Sequence, residues 1–230
     1  MSVVDDLRTL APPQSYRERS NPNALWRASM LGYCPRLQIL AAKGINQKHP
    51  DSLLRKFSVH SGAHDAVQDW VFKCLSDKYE VMLEEKIFDP DTRCGGHIDA
   101  VIVDENIAYV AEIKTYAFLR GDPKEDSYWQ HQISFYYNTV FEQGRWPLVQ
   151  PLVMIVTLDG NIKVVEPKVT DEYASILFNL NLAWDSDTLP DYRDCRTDAC
   201  SKCNLQRICT EPISSINEYA ELVTARSLED

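Results

Sequence analysis

The sequence predicts an α/β protein on three observations: a helical stripe at 61–75, three short β-branched segments between 81 and 113, and a second helix at 127–141 with a hairpin after it. Residues 1–24 mix Pro, Ser and charge and read as a mobile lead-in. At 25–42, Leu25, Met30, Leu31, Leu37, Leu40 and Ala41 give a helical pattern broken at Gly32 and Pro35, which fits two helices or a kink. The stripe at 61–75 runs through Ala63, Ala66, Val67, Trp70, Val71 and Leu75, and it also carries His64, Gln68 and Asp69.

Segments 81–88, 98–103 and 107–113 alternate as strands do, and Asp104, Glu105 and Asn106 form a tight turn between the last two, so three antiparallel strands are expected. In the helix at 127–141, Ile133, Tyr136, Tyr137, Val140 and Phe141 are expected to face inward, and 144–147 ends it. Strands at 152–157 and 162–165 flank Asp159, Gly160 and Asn161, a hairpin signal. A helix at 171–184 with Thr170 as N-cap, a cysteine-rich segment and a polar helical tail complete the order.

The chain of 230 residues and 26.4 kDa suits one main domain with appendages. Its 44% hydrophobic and 25% charged residues exclude disordered and fibrous classes. The longest apolar run, 152–156, is far short of the ~20 residues that span a bilayer, and the N-terminus has no apolar signal core. A soluble, cytoplasmic protein without membrane partners is expected. The net charge of -10 is unevenly spread: residues 1–60 carry nine Lys or Arg against four acids. A basic N-terminal third beside an acidic remainder suits a local phosphate track next to an acidic metal site, and Trp26 and Tyr33 are candidates for stacking bases along it. The absence of a G-x4-G-K-[ST] loop argues against ATP-driven unwinding.

Chemistry-bearing residues fall at the ends of the central strands. If the strands pair through the turn at 104–106, Asp99 and Glu112 meet at one end of the hairpin, and Glu112 and Lys114 project from one face while Ile113 points to the opposite core. Two carboxylates suit Mg²⁺ or Mn²⁺, and a neighbouring lysine can offset charge developing on a phosphate.

In this respect the sequence resembles the PD-(D/E)XK nuclease superfamily, more narrowly its RecB-like exonucleases. The likeness rests on His64 and Gln68 on one helix, Gly96 and Asp99, Glu112 through Lys114, and Gln132 with Tyr136 on the next helix, which is like the family's Q-x3-Y signature. Residues 61–157 follow the family order of helix, three strands, helix, strand. The resemblance implies a mixed central sheet flanked by helices. It further implies a Mn²⁺ or Mg²⁺ ion held by His64, Asp99, Glu112 and the backbone carbonyl of Ile113, with Asp99, Glu112 and Lys114 as catalytic residues and Gln132 and Tyr136 as substrate-binding ones. His60, one turn before His64, is the alternative histidine.

Seven cysteines without an export signal argue for reduced thiols. Cys74 and Cys94 read as buried structural residues. Cys200, Cys203 and Cys209 are spaced to wrap one metal or cluster, and either Cys195 or Cys34 can complete the set. With Cys195 the spacing copies 2Fe-2S ferredoxins or compact zinc sites. Here the sequence is similar to the CRISPR-associated RecB-like exonucleases and their phage-encoded relatives, which carry an iron-sulfur cluster. That likeness implies a 4Fe-4S cluster on Cys34, Cys200, Cys203 and Cys209, with cluster-binding segments at 25–60 and 185–230 around a nuclease core at 61–184. It also implies a 5′-to-3′ exonuclease for single-stranded DNA ends, working in CRISPR adaptation, phage recombination or repair, with a homo-oligomer or a CRISPR or recombination protein as partner. The rival expectations are a non-catalytic nucleic-acid-binding or assembly subunit and an iron-sulfur redox sensor.

Overall fold

The computed structural model describes residues 23–45, 51–116, 127–191, 203 and 205–226. Its elements run β1 (Trp26–Arg27), a 3-10 turn (Ala28–Met30), α1 (Pro35–Ala42), α2 (Asp51–Leu75), β2 (Glu80–Asp89), β3 (Cys94–Asp104), β4 (Ile107–Tyr116), α3 (Ser127–Glu142), β5 (Leu148–Thr157), β6 (Ile162–Val165), α4 (Glu172–Asp185), α5 (Gln206–Cys209) and α6 (Ile216–Arg226).

The three expected antiparallel strands are present: β2 pairs with β3 and β3 with β4. β4 then pairs in parallel with β5, and β6 returns antiparallel, so the sheet is mixed and flanked by helices. The parallel step is possible because α3 carries the chain back between β4 and β5. One edge of β3 is shared. Its first residues take β1, through Trp26↔Cys94 and Arg27↔Gly95, and its last five take β4, from Ala100↔Ala111 to Asp104↔Ile107. Residues 96–99 thus lie between two partners on that edge, paired with neither.

The main core fills one side of the sheet, where Ile98, Val101, Val110 and Val153 meet Ile133, Phe135 and Tyr136 of α3 and Leu177 and Leu180 of α4. On α2, Val71 packs with Ile113, Met154 and Val156, so Ile113 does point away from its acidic and basic neighbours. The two chain ends share the core: Leu31, Ile39 and Leu40 lie with Ile208, Ile216, Tyr219 and Val223. Trp26 Nε1 donates to Asn181 Oδ1 at 2.8 Å, and its ring meets Trp184 edge-on with centroids 5.7 Å apart.

Several expectations are corrected. The helical pattern at 25–42, expected as two helices or a kink, begins instead as β1, because the edge of β3 captures Trp26 and Arg27; helix is confined to the 3-10 turn Ala28–Met30 and to α1. Trp26 is 1% exposed and so cannot stack bases; Tyr33, at 45%, can. Phe141 is exposed, since it lies outside the stripe of Ile133, Tyr136 and Val140, and it stacks on Tyr137 instead. Asp171, not Thr170, is the N-cap of α4, without a side-chain capping bond. Cys74 is exposed, whereas Cys94 is buried. The C-terminal tail is amphipathic and not polar throughout, with Ile216, Tyr219, Ala220 and Val223 buried. Among the described residues no helix is long and apolar enough to cross a membrane.

Candidate active site

The β3–β4 ladder stops at Ala100↔Ala111, and the next residue on each strand is an acid, Asp99 and Glu112. The side chain of Asp99 takes over where backbone pairing ends: Oδ2 accepts the N–H of Ile113 at 2.7 Å. On its other oxygen, Oδ1, Asp99 meets α2, with Gln68 Nε2 at 3.3 Å and His64 Nε2 at 3.4 Å. Residues 64, 68, 71 and 75 recur at helical spacing, so the stripe that packs Val71 on the sheet also delivers His64 and Gln68 to its open end. His60, one turn earlier, is exposed and stands outside this group.

Glu112 projects toward α3. It is 3% exposed; Oε1 receives Lys114 Nζ at 2.6 Å, and Oε2 is buried with no hydrogen-bond partner. Burial, reinforced by the charge of Asp99, pushes its carboxyl up to about 7 against the pull of Lys114 and His64. Burial disfavours the Lys114 cation, but Glu112 and then Asp99 outweigh that, so the amine is held above its ordinary value. Lys114 Nζ also donates to Gln132 Oε1 at 3.2 Å, and Gln132 Nε2 reaches Tyr136 Oη at 3.2 Å. Burial, then the charge of Glu112, keeps the Tyr136 phenol protonated.

Gly96 is what lets Tyr136 reach this position. A Cβ there would stand 2.6 Å from Tyr136 Oη and 2.9 Å from its Cε1, closer than real contacts allow. The seven residues expected at the site from 64 to 136 therefore fall into two bonded groups, His64–Asp99–Ile113 N–H against α2 and Glu112–Lys114–Gln132–Tyr136 against α3, which adjoin where Ile113 follows Glu112.

The sequence reading missed Glu84, in the middle of β2. Its Oε1 accepts from Gln68 Nε2 at 2.8 Å and its Oε2 pairs with His97 Nδ1 at 3.0 Å. Among the described residues, donor atoms of His64, Glu84 and Asp99 lie within 4.8 Å of one another, the spread of a set that can hold a metal ion. A hairpin closing between Asp89 and Cys94 places residue 84 opposite 99, and that counting was the available signal.

The cysteine region lies elsewhere, where α1 meets the C-terminal segments. Cys34 is the N-cap of α1, and it and Cys203, 175 and 6 residues from Cys209 in the chain, both help to raise the Cys209 thiol. Cys195 and Cys200 lie outside the described residues. Burial raises the Cys209 thiol, opposed by the Tyr219 hydroxyl, which stands 3.1 Å from Sγ, and by Arg36. Arg36, 4% exposed, donates through Nε to Pro190 O at 2.7 Å and through Nη1 to Cys209 O at 2.8 Å, and it lies 5.4 Å from the centroid of the Tyr219 ring. The guanidinium thus ties the N-terminal helix to the cysteine turn.

Taken together, fold and site define a mixed α/β protein with an acidic, lysine-bearing centre at the open end of its sheet. Thirteen chains of solved structures resemble it, among them the crystal structure of SSO0001, which is 16% identical with a TM-score of 0.52 over 85% of this chain and 90% of that one. That likeness shows the fold. No protein-family model and no curated protein matches the sequence.

Proposed function

We propose that this chain is a metal-dependent DNA exonuclease of the PD-(D/E)XK, RecB-like type, acting on single-stranded ends. The observation that carries the reading is a pair of contact groups at a break in the sheet, His64–Asp99–Ile113 N–H and Glu112–Lys114–Gln132–Tyr136, which adjoin where Ile113 follows Glu112. Glu112 Oε2 is buried without a hydrogen-bond partner, an acceptor that a bound cation would satisfy. Imidazole nitrogen and carboxylate oxygens are the donors that Mn²⁺ accepts, so the residues fit a hard divalent cation.

His64, Asp99 and Glu112, with the Ile113 carbonyl, would hold that cation, which when bound supplies an activated water and polarises the scissile phosphate. Lys114 keeps its charge beside Glu112 and offsets negative charge developing on the phosphate. Gln132, gripped by Lys114 and Tyr136, fixes the direction of that amine and presents an amide to the DNA backbone. Tyr136 stays protonated and acts as a hydrogen-bond donor or acceptor, not as a base.

The thiols of Cys34, Cys203 and Cys209, with Cys200, are in this reading the ligands of a 4Fe-4S cluster that staples the two chain ends; Cys195 would serve a 2Fe-2S or zinc alternative. Soft thiolates are the donor chemistry such a group takes.

The test is degradation of end-labelled single-stranded DNA with Mn²⁺, Mg²⁺ or EDTA, beside Asp99→Ala and Lys114→Ala. Cleavage that needs the metal and falls at least ~100-fold in both variants is expected, and the product ladder gives the polarity. Wild-type rates in either variant overturn the site. No cleavage by cluster-loaded protein moves the assignment to a nucleic-acid-binding subunit on the same fold.

A further inference from the structure

Glu84 sits where a strand has no reason to bend. The β2–β3 register runs without insertion from Glu80↔Val103 to Asp89↔Cys94, yet one pair is missing from the ladder, the one that would join Glu84 to Asp99. Glu84 there has φ +52, in the left-handed region that residues with a Cβ seldom adopt. The carboxylate so presented is held at both oxygens. Gln68 Nε2 bonds Oε1 and reaches across to Asp99 Oδ1, which keeps the two acids side by side, while His97 Nδ1 bonds Oε2.

A cluster of acids alone carries little weight, because exposed carboxylates often gather without a ligand. Here a second observation points the same way. Glu112 is nine-tenths buried with Oε2 unsatisfied, and it directly precedes Ile113, whose N–H Asp99 Oδ2 holds at 2.7 Å, so the orphaned carboxylate belongs to the residue beside the one that Asp99 grips. Donors from α2, β2 and β3 thus lie within 4.8 Å of one another, with Glu112 on the neighbouring strand. Gln68 and His97 stand behind Glu84 and Asp99 as the outer partners that orient metal-binding carboxylates.

We propose that Glu84 is a direct ligand of the divalent cation, completing with His64 and Asp99 a three-residue grip that Glu112 closes, and that Gln68 is a positioning residue for that grip. The inference rests on the metal-dependent reading of the site, but its test does not require DNA.

Mn²⁺ binding to the full-length protein is measured by the loss of the free-ion electron paramagnetic resonance signal and by the rise in melting temperature on adding Mn²⁺. The proteins are wild type, Glu84→Gln, Asp99→Asn, Gln68→Ala and Glu85→Gln. The isosteric Glu84→Gln is expected to melt cooperatively in EDTA, to bind Mn²⁺ at least tenfold more weakly and to lose most of the Mn²⁺-induced rise, as Asp99→Asn does. Gln68→Ala is expected to weaken binding less. Glu85→Gln, whose carboxylate pairs with Arg145 at 3.2 Å on the exposed side, is expected to bind as wild type. Wild-type affinity in Glu84→Gln while Asp99→Asn loses the ion overturns the assignment of Glu84 and leaves the nuclease reading standing. A wild-type protein that binds no Mn²⁺ overturns both.

Discussion

The carboxylate centre and the cysteine region each hold a cation among polar partners, and they assemble by opposite means. Around Lys114 the partners come from neighbouring strands and the helices that pack on them, with Glu112 two residues away and Asp99 just across a hairpin. Around Arg36 they come from the far end of the chain, with Pro190 and Cys209 more than 150 residues distant. The first centre is a property of the sheet and forms when the hairpins form. The second depends on loop closure, which costs entropy that local pairing does not repay, so a cross-link through the thiols has more to contribute there.

That contrast can be broken most forcefully at Cys203. Replacing it with Ala is expected to give colourless, less soluble protein with a markedly lower melting temperature, while whatever fraction folds keeps its Mn²⁺ binding. A yellow-brown variant with an unchanged visible spectrum would remove Cys203 from the ligand set. Loss of Mn²⁺ affinity in the folded fraction would show that the two regions are not independent.

A smaller effect separates them by pH. Burial raises Glu112 from a carboxylate's ordinary 4.5 to about 7, whereas the Cys209 thiol is raised from a value already above neutrality. Between those two pH values the unfolded chain has released the Glu112 proton and the folded chain still holds it, so stability is present at low pH and is lost as pH rises toward 7. In EDTA, the stability of wild type relative to Glu112→Gln is expected to fall between pH 4.5 and 7, by up to about 3 kcal/mol. A flat difference, followed by denaturant unfolding, would mean that Lys114 keeps Glu112 ionised throughout.

Smallest in stability is Gly96→Ala, which sharpens the picture of the first region alone. Its methyl would press on Tyr136 Oη and Cε1 and on Ala28 Cβ. Overpacking of this kind costs about 1–3 kcal/mol, read as a shift in the denaturation midpoint. Because Tyr136 holds Gln132 and Gln132 holds Lys114, cleavage is expected to fall further than stability does, with Mn²⁺ affinity unchanged. Equal losses in all three would reduce Tyr136 to a packing residue.

How much of this was legible in the sequence follows the same divide. Period-two alternation and the turn at 104–106 were enough to place Asp99 beside Glu112 and to put Ile113 on the other face, because strand geometry leaves no freedom once the turn is set. Helical spacing likewise put His64 with Gln68, and Gln132 with Tyr136. Glu84 escaped notice because its strand has acids on both faces, and only pairing through the 89–94 turn, together with a backbone that departs from the strand at one residue, singles it out. Trp26 was misread for a related reason: a two-residue edge strand has no periodicity to announce it, and burial beneath Trp184 is decided by α4, far along the chain.

The amino-acid sequence by itself determined the order of elements, the hairpin register and the chemical character of both donor sets, since these depend on local geometry and residue type. Only the tertiary structure decided which acid stands in for the broken ladder and which histidine meets it, and that Arg36 ties the N-terminal helix to the turn at Cys209. Those outcomes depend on where distant surfaces bury one another, and burial is a property of the whole packed chain and not of any window within it.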